Sequence, residues 1–197
     1  MYKRAVILAG GKGTRLRPYT VVLPKPLMPV GEYPILEIII RQLRLHGFKR
    51  VTIAVNHHAE LIKAFFGNGS KWEMEIDYSF EDKMLSTMGP LKLINDLPED
   101  FLIMNGDVLT DLNFNNFFEH HCHEKNLFTI SSMQRDLPSE YGVLEVNEKG
   151  NLYGFKEKPS FQFQVSMGVY MANKKILKYI PEGTAFGFDH LMLECLR

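Results

Sequence analysis

Apolar residues run in short unbroken blocks through the first two thirds of the chain and alternate with polar ones afterwards. Ala5-Val6-Ile7-Leu8-Ala9, the mostly apolar stretch Arg50 to Val55, and Phe101 to Met104 read as strands buried on both faces, the pattern of parallel sheets. Glu73 to Tyr78 alternates, and Leu127 to Ser132 is a further strand candidate. Helical spacing lies between them. Ile35, Ile38, Ile39, Leu43 and His46 share one stripe, with Pro34 suited to a first turn and Gly47 to a C-cap. Glu60 to Phe66, Met88 to Asn95 and Asn113 to Glu124 read as further helices. Pro18, Pro24, Pro26, Pro29 and Pro34 forbid a long helix over 18–34, which is expected to be an ordered extended loop. Later, Val143 to Val146 and Asn151 to Phe155 flank Asn147-Glu148-Lys149-Gly150 as an antiparallel hairpin. Gln164 to Met171 is another strand, and Phe188 to Arg197 a last helix. Strands alternating with helices predict an α/β fold: a mixed, mostly parallel sheet flanked by helices, with a small antiparallel addition in the second half.

The length of 197 residues suggests one domain. Lys plus Arg and Asp plus Glu are both 23, so there is no basic excess of the kind that long phosphate backbones require. No nucleic-acid partner is expected. Cys122 and Cys195 are too few for a disulfide framework and fit reduced thiols. The apolar run after Met1-Tyr2-Lys3-Arg4 is too short for a signal peptide, and no run reaches membrane-spanning length. No membrane association and a cytoplasmic location are expected.

The chemistry concentrates after the first strand, in Gly10-Gly11-Lys12-Gly13-Thr14-Arg15-Leu16. Glycines there let backbone N–H groups approach phosphate oxygens. A P-loop needs four residues between its first glycine and Gly-Lys-Ser/Thr, and a dinucleotide fingerprint needs glycine where Leu16 stands. The loop is neither.

Gly-Gly-x-Gly-Thr-Arg-Leu followed by Pro24-Lys25-Pro26 resembles the signature of sugar-1-phosphate nucleotidyltransferases. Asn105-Gly106-Asp107, Tyr141-Gly142, Glu157-Lys158-Pro159 and Met167-Gly168-Val169-Tyr170 follow in the order of that family. The resemblance covers nearly all of residues 1–197. It implies a Rossmann-like nucleotidyltransferase domain and a Mg²⁺-dependent reaction of a nucleoside triphosphate with a sugar 1-phosphate. The attacking phosphate has a second pKa of about 6, so no general base is required. Cations and a metal must instead stabilise the leaving pyrophosphate. By the resemblance, Arg15 and Lys25 contact the triphosphate and Asp107 is the Mg²⁺ ligand. Lys158 contacts the sugar phosphate; Tyr141, Gly142, Glu157 and Ser166 border the sugar. Leu8, Ala9, Gly10, Gly11, Gly13, Thr14, Glu81, Ser86 and Thr87 complete the nucleotide site.

Among members, those resembling mannose-1-phosphate guanylyltransferases are nearest in look, through Asn105 to Leu109 and Gly89-Pro90-Leu91. Glucose or heptose 1-phosphate and other bases stay open. Two departures favour a rival reading, a non-catalytic module that binds nucleotide or NDP-sugar. Met84, Ser86 and Met88 stand where the family has proline, glycine and alanine, so crowding of the base or altered backbone geometry is expected. No second metal-binding Asp motif follows Tyr170, so the domain is expected to be truncated at its C-terminus, or diverged. Relatives commonly associate, which leaves a homo-oligomer open. His120-His121-Cys122-His123 matches no standard zinc spacing. It is read as part of a helix with Phe114, Phe117, Phe118 and His121 facing inward.

Overall fold

The computed structural model describes residues 2–197 except Lys12, His57 and His58; the side chain of Arg15 is also outside the described set. The strands are β1 (Arg4–Leu8), β2 (Pro29–Val30), β3 (Tyr33–Pro34), β4 (Arg50–Val55), β5 (Glu75–Phe80), β6 (Asp100–Asn105), β7 (Phe128–Pro138), β8 (Val143–Val146), β9 (Leu152–Lys156) and β10 (Ser160–Asn173). The α-helices are α1 (Ile35–Leu45), α2 (Ala59–Phe66), α3 (Phe114–Glu124) and α4 (Phe188–Cys195). One six-stranded sheet has the order β5-β4-β1-β6-β10-β7. β1 runs parallel to β4 and β6, β4 runs parallel to β5, and β10 lies antiparallel to β6. Two-stranded ribbons pair β2 with β3 and β8 with β9.

Period-two alternation divides the core between the two sheet faces. Ala5, Ile7, Leu102, Met104, Val169 and Met171 enter the cluster under α1, α2 and α3. Val6, Phe101, Ile103, Tyr170 and Ala172 enter a second cluster with Met88, Leu91, Ile176 and Leu191. Unbroken apolar runs are thus the signature of strands covered on both sides. Leu36, Ile39, Ile40 and Leu43, at helical spacing on α1, are fully buried, each contributing about 1.5–3 kcal/mol. Pro34 precedes α1 and Gly47, at φ 82°, follows its C-cap. α3 begins on Asn113, whose side chain accepts from the Asn116 N–H at 3.0 Å.

Some predicted boundaries moved. β5 starts at Glu75, two residues late, because Ser70–Trp72 forms a 3₁₀ turn and Glu73 takes φ 53°. Trp72 is held there by donating to Glu37 Oε1 at 3.0 Å. The helix expected at 88–95 is a 3₁₀ segment, Gly89–Leu93. The 18–34 loop contains 3₁₀ turns at Tyr19–Val21 and Lys25–Leu27.

The chain separates into two compact units, Met1–Ile130 with Gly168–Arg197, and Ser131–Met167. In the first, parallel alignment brings the carboxyl ends of β1, β4, β5 and β6 to one edge. Their amino ends are tied by charge. Arg4, 1% exposed, donates to Thr52 Oγ1 at 2.9 Å and to Asp96 Oδ1 at 2.9 Å, and pairs with Asp77 at 3.2 Å. Arg50 also pairs with Asp77 and, at 2.7 Å, with Asp96. Substituting Arg4 by Met should lower unfolding free energy by about 2–4 kcal/mol, read by chemical denaturation, because it strips a buried network of its central donor.

Candidate nucleotide site

At the carboxyl edge of the first unit lies a cavity of about 390 Å³. β1 ends in Leu8 and Ala9, and the Ala9 N–H donates to Ala54 O at 2.8 Å, so the chain stays in register until the glycines begin. Gly10, Gly11, Gly13 and Thr14 form one wall. A Cβ on Gly10 would come within 2.8 Å of Glu81 Oε1, so a side chain there would push that carboxylate aside. Gly13 sits at φ 59° with the Thr20 methyl 2.8 Å from where a Cβ would be. Thr20 Oγ1 donates to Gly13 O at 2.8 Å and ties the loop to the proline segment. A 3₁₀ turn, Lys25–Leu27, then brings Lys25 to the cavity.

Asp107 enters just past β6, where Gly106 N–H donates to Leu8 O at 2.9 Å. Its carboxylate pairs with Lys25 Nζ, both side chains about one-third exposed. Among the described residues no group of three or more His, Cys, Asp and Glu side chains is poised to hold a metal. The part-exposed carboxylate of Asp107, a hard oxygen donor on the cavity wall, fits an ion that takes most of its ligands from water and substrate phosphates, as Mg²⁺ does. Such an ion would compete with Lys25 for the same carboxylate.

Glu81 follows β5 directly. Burial pushes its carboxyl pKa up, against the lowering effect of the hydrogen bond from the Leu85 N–H, 3.0 Å from Oε2. The departures at 84–88 divide. Met88 is fully buried in the core beneath the sheet and takes no part in the cavity wall. Met84 and Ser86 do line it. Ser86 has φ 64°, a left-handed conformation natural to glycine. Thr87 also lines the cavity and its Oγ1 accepts from the Phe188 N–H at 2.9 Å, anchoring α4.

All of Leu8, Ala9, Gly10, Gly11, Gly13, Thr14, Lys25, Glu81, Ser86, Thr87 and Asp107 thus line one cavity. Arg15 belongs to the 3₁₀ turn Thr14–Leu16, and its side chain lies outside the described residues. Leu16, Pro26, Met84, Pro90, Asn105 and Gly106 also line it; sequence reasoning quoted each inside a motif or a departing segment without assigning it to the nucleotide site.

The expected sugar residues belong to the second unit. Tyr141-Gly142 enters β8 and Glu157-Lys158 leaves β9, and these strands pair with Val143 opposite Lys156. A Cβ on Gly142 would lie 3.2 Å from Glu157 Oε2, so the hairpin brings these two motifs together. Lys158 has φ 42°. Ser166 lies on β10. Of the histidine run, His121 is buried, its Nδ1 2.7 Å from Thr129 Oγ1, and burial lowers its pKa. Phe114 and Phe118 are buried beside it and Phe117 partly so, as the helix reading expects. No helix among the described residues is long and apolar enough to cross a membrane.

Residues 4–189 match the family model described as Nucleotidyl transferase. The chain is 33% identical to UTP–glucose-1-phosphate uridylyltransferase of Synechocystis sp., over 93% of this chain and 52% of that protein. It is 35% identical to mannose-1-phosphate guanylyltransferase catalytic subunit beta of Drosophila melanogaster, over 90% of this chain and 50% of that protein. The crystal structure of HddC from Yersinia pseudotuberculosis complexed with GMP-PN is similar with a TM-score of 0.71 and 26% identity, over 95% of this chain and 83% of that one. The chain spans about half the length of the curated relatives it matches.

Two stability outcomes follow from the cavity wall. Ser86→Gly should stabilise the protein by about 1 kcal/mol, measured by denaturant titration, by relieving the left-handed Cβ. Glu81→Gln should raise the Tm at pH 7. The native carboxyl pKa is raised, so its ionised form costs stability above that pKa, and the cost fades as pH falls. The Tm gain of Glu81→Gln should accordingly disappear below the ordinary carboxylate range.

Proposed function

Because this chain belongs to the nucleotidyl transferase family, which includes sugar-1-phosphate nucleotidyltransferases, we propose that it joins a nucleoside triphosphate to a sugar 1-phosphate, releasing pyrophosphate and forming an NDP-sugar. It would thereby serve nucleotide-sugar biosynthesis. The observation that carries the reading is the meeting of the glycine loop, Lys25 and Asp107 in one cavity at the carboxyl ends of parallel strands, where ligands bind in open α/β sheets.

The sugar phosphate oxygen attacks the α-phosphorus, the bond from that phosphorus to the bridging oxygen breaks, and pyrophosphate carries the electron pair away. The backbone N–H groups of Gly10, Gly11, Gly13 and Thr14 cradle phosphates. Lys25 and Arg15 neutralise the leaving pyrophosphate. Asp107 would hold Mg²⁺, which would supply charge neutralisation for the triphosphate. With its carboxylate so engaged, Asp107 would leave Lys25, now its ion-pair partner, free to contact the triphosphate. Lys158 holds the sugar phosphate, and Glu157, Tyr141, Gly142 and Ser166 receive the sugar. Support for these roles is the motif order together with the pairing of β8 and β9.

The relatives support both uridylyl and guanylyl transfer, to glucose 1-phosphate and mannose 1-phosphate, with GTP and mannose 1-phosphate the first pair to assay. The test is pyrophosphate release from each of four NTPs against a panel of sugar 1-phosphates with Mg²⁺. Release with one pair is expected, and Arg15→Ala should lower it at least about 100-fold, as removal of a transition-state cation does. Tight NDP-sugar binding without release for any pair would instead establish a binding module.

A further inference from the structure

Lys25 and Asp107 are joined to each other in the wall of the nucleotide cavity. Lys25 starts from a fixed main chain. Its 3₁₀ turn is closed by the Leu27 N–H donating to Pro24 O at 2.8 Å and the Met28 N–H donating to Lys25 O at 3.0 Å, and Pro26 and Leu27 are buried. Lys25 Cβ lies 3.5 Å from where a Cβ on Gly13 would be, so the side chain begins beside the glycine loop. Its ammonium nevertheless goes to Asp107. Asp107 is fixed in the same way. It follows Gly106, whose N–H donates to Leu8 O at 2.9 Å, and the Val108 N–H donates to Asn105 O at 3.4 Å.

With both main chains tied down, the contact is made and broken by the side chains alone. Both are about one-third exposed, and lysine carries its charge on a flexible four-carbon stem. An ion pair so placed is exchangeable. A metal-free polyphosphate meets two obstacles at it. The polyanion must take the ammonium from a carboxylate that already neutralises it. The carboxylate is then left unpaired beside the phosphates, where like charges repel. A cation on the carboxylate removes both obstacles.

On the nucleotide reading above, we propose that the Lys25–Asp107 pair is an autoinhibitory latch, which weakens the cavity toward metal-free polyphosphates and opens when the Asp107 carboxylate is drawn to another cation. Asp107 thus opposes binding in one state and supports it in the other. A residue that served only as a metal ligand would be indifferent to a polyphosphate without metal. A carboxylate that acted only through its field would repel the polyanion whatever stood at position 25. The latch requires that the effect of Asp107 pass through Lys25.

The test is calorimetric titration of the full chain with inorganic tripolyphosphate at fixed salt, first in excess EDTA. Asp107→Asn and Asp107→Ala should each bind it at least about fivefold more tightly than the unmodified chain, the scale of one part-exposed ion pair. Lys25→Gln should weaken binding less than about twofold in the unmodified chain but at least about fivefold in the Asp107→Asn background, where the ammonium is no longer held. Substitution at position 25 isolates this contact from Lys12 and the Arg15 side chain, which lie outside the described residues. With excess Mg²⁺ the order should reverse, Asp107→Asn binding more weakly than the unmodified chain. Unchanged or weaker metal-free binding in both Asp107 variants would overturn the latch. So would equal tightening with and without Lys25, or persistence of the variants' advantage in Mg²⁺. Failure of the unmodified chain to bind GTP, UTP, ATP or CTP at any Mg²⁺ concentration would overturn the nucleotide reading itself.

Discussion

The structure depends on the parallel hydrogen-bonded register of β1 with β4 and β6. Leu8 stands opposite both Ala54 and Asn105, so three chain segments end at one level. The same register continues to β5, where Val55 stands opposite Phe80. Every residue that follows these strands therefore emerges at the same edge. Glu81, Asp107 and the glycine loop lie more than 20 positions apart in sequence, yet share one cavity for this reason. The ladder is secured by apolar burial on both faces and, at its amino ends, by the Arg4 and Arg50 network.

Among the described residues, charge in the cavity is largely compensated before a ligand arrives. Lys25 and Asp107 neutralise one another. A triphosphate that took Lys25 alone would strand Asp107, and a metal that took Asp107 alone would strand Lys25. Binding of the two together avoids both costs. Glu81 is the exception, since burial disfavours its charged form.

The segment 85–89 shows how such a wall is kept rigid. Met88 and Gly89 N–H groups both donate to Phe186 O, and the Phe186 N–H returns a bond to Leu85 O. With Thr87 accepting from Phe188, the last helix is stitched to the cavity. Met88 fills the core instead of the site, so the bulk expected to crowd the base is absorbed by packing at that position. Ser86 keeps a glycine-like backbone at a cost in strain.

Much of this was legible in the chain itself. Unbroken apolar runs announced strands covered on both faces, because a residue's burial depends on its own side chain. The glycine loop excluded two other phosphate motifs by spacing alone. The helix over 35–45 was visible from its apolar stripe and its flanking Pro34 and Gly47. Tertiary structure decided what spacing cannot encode. The start of β5 depended on Trp72 reaching Glu37, and the inward turn of Met88 on a core built from β6, β10 and α4. The pairing of Lys25 with Asp107 and the approach of Glu81 to Gly10 are long-range contacts that form only once the parallel register has aligned the strand ends. Residue type determined which chemistry was available in this protein; the register determined which residues could act on one ligand.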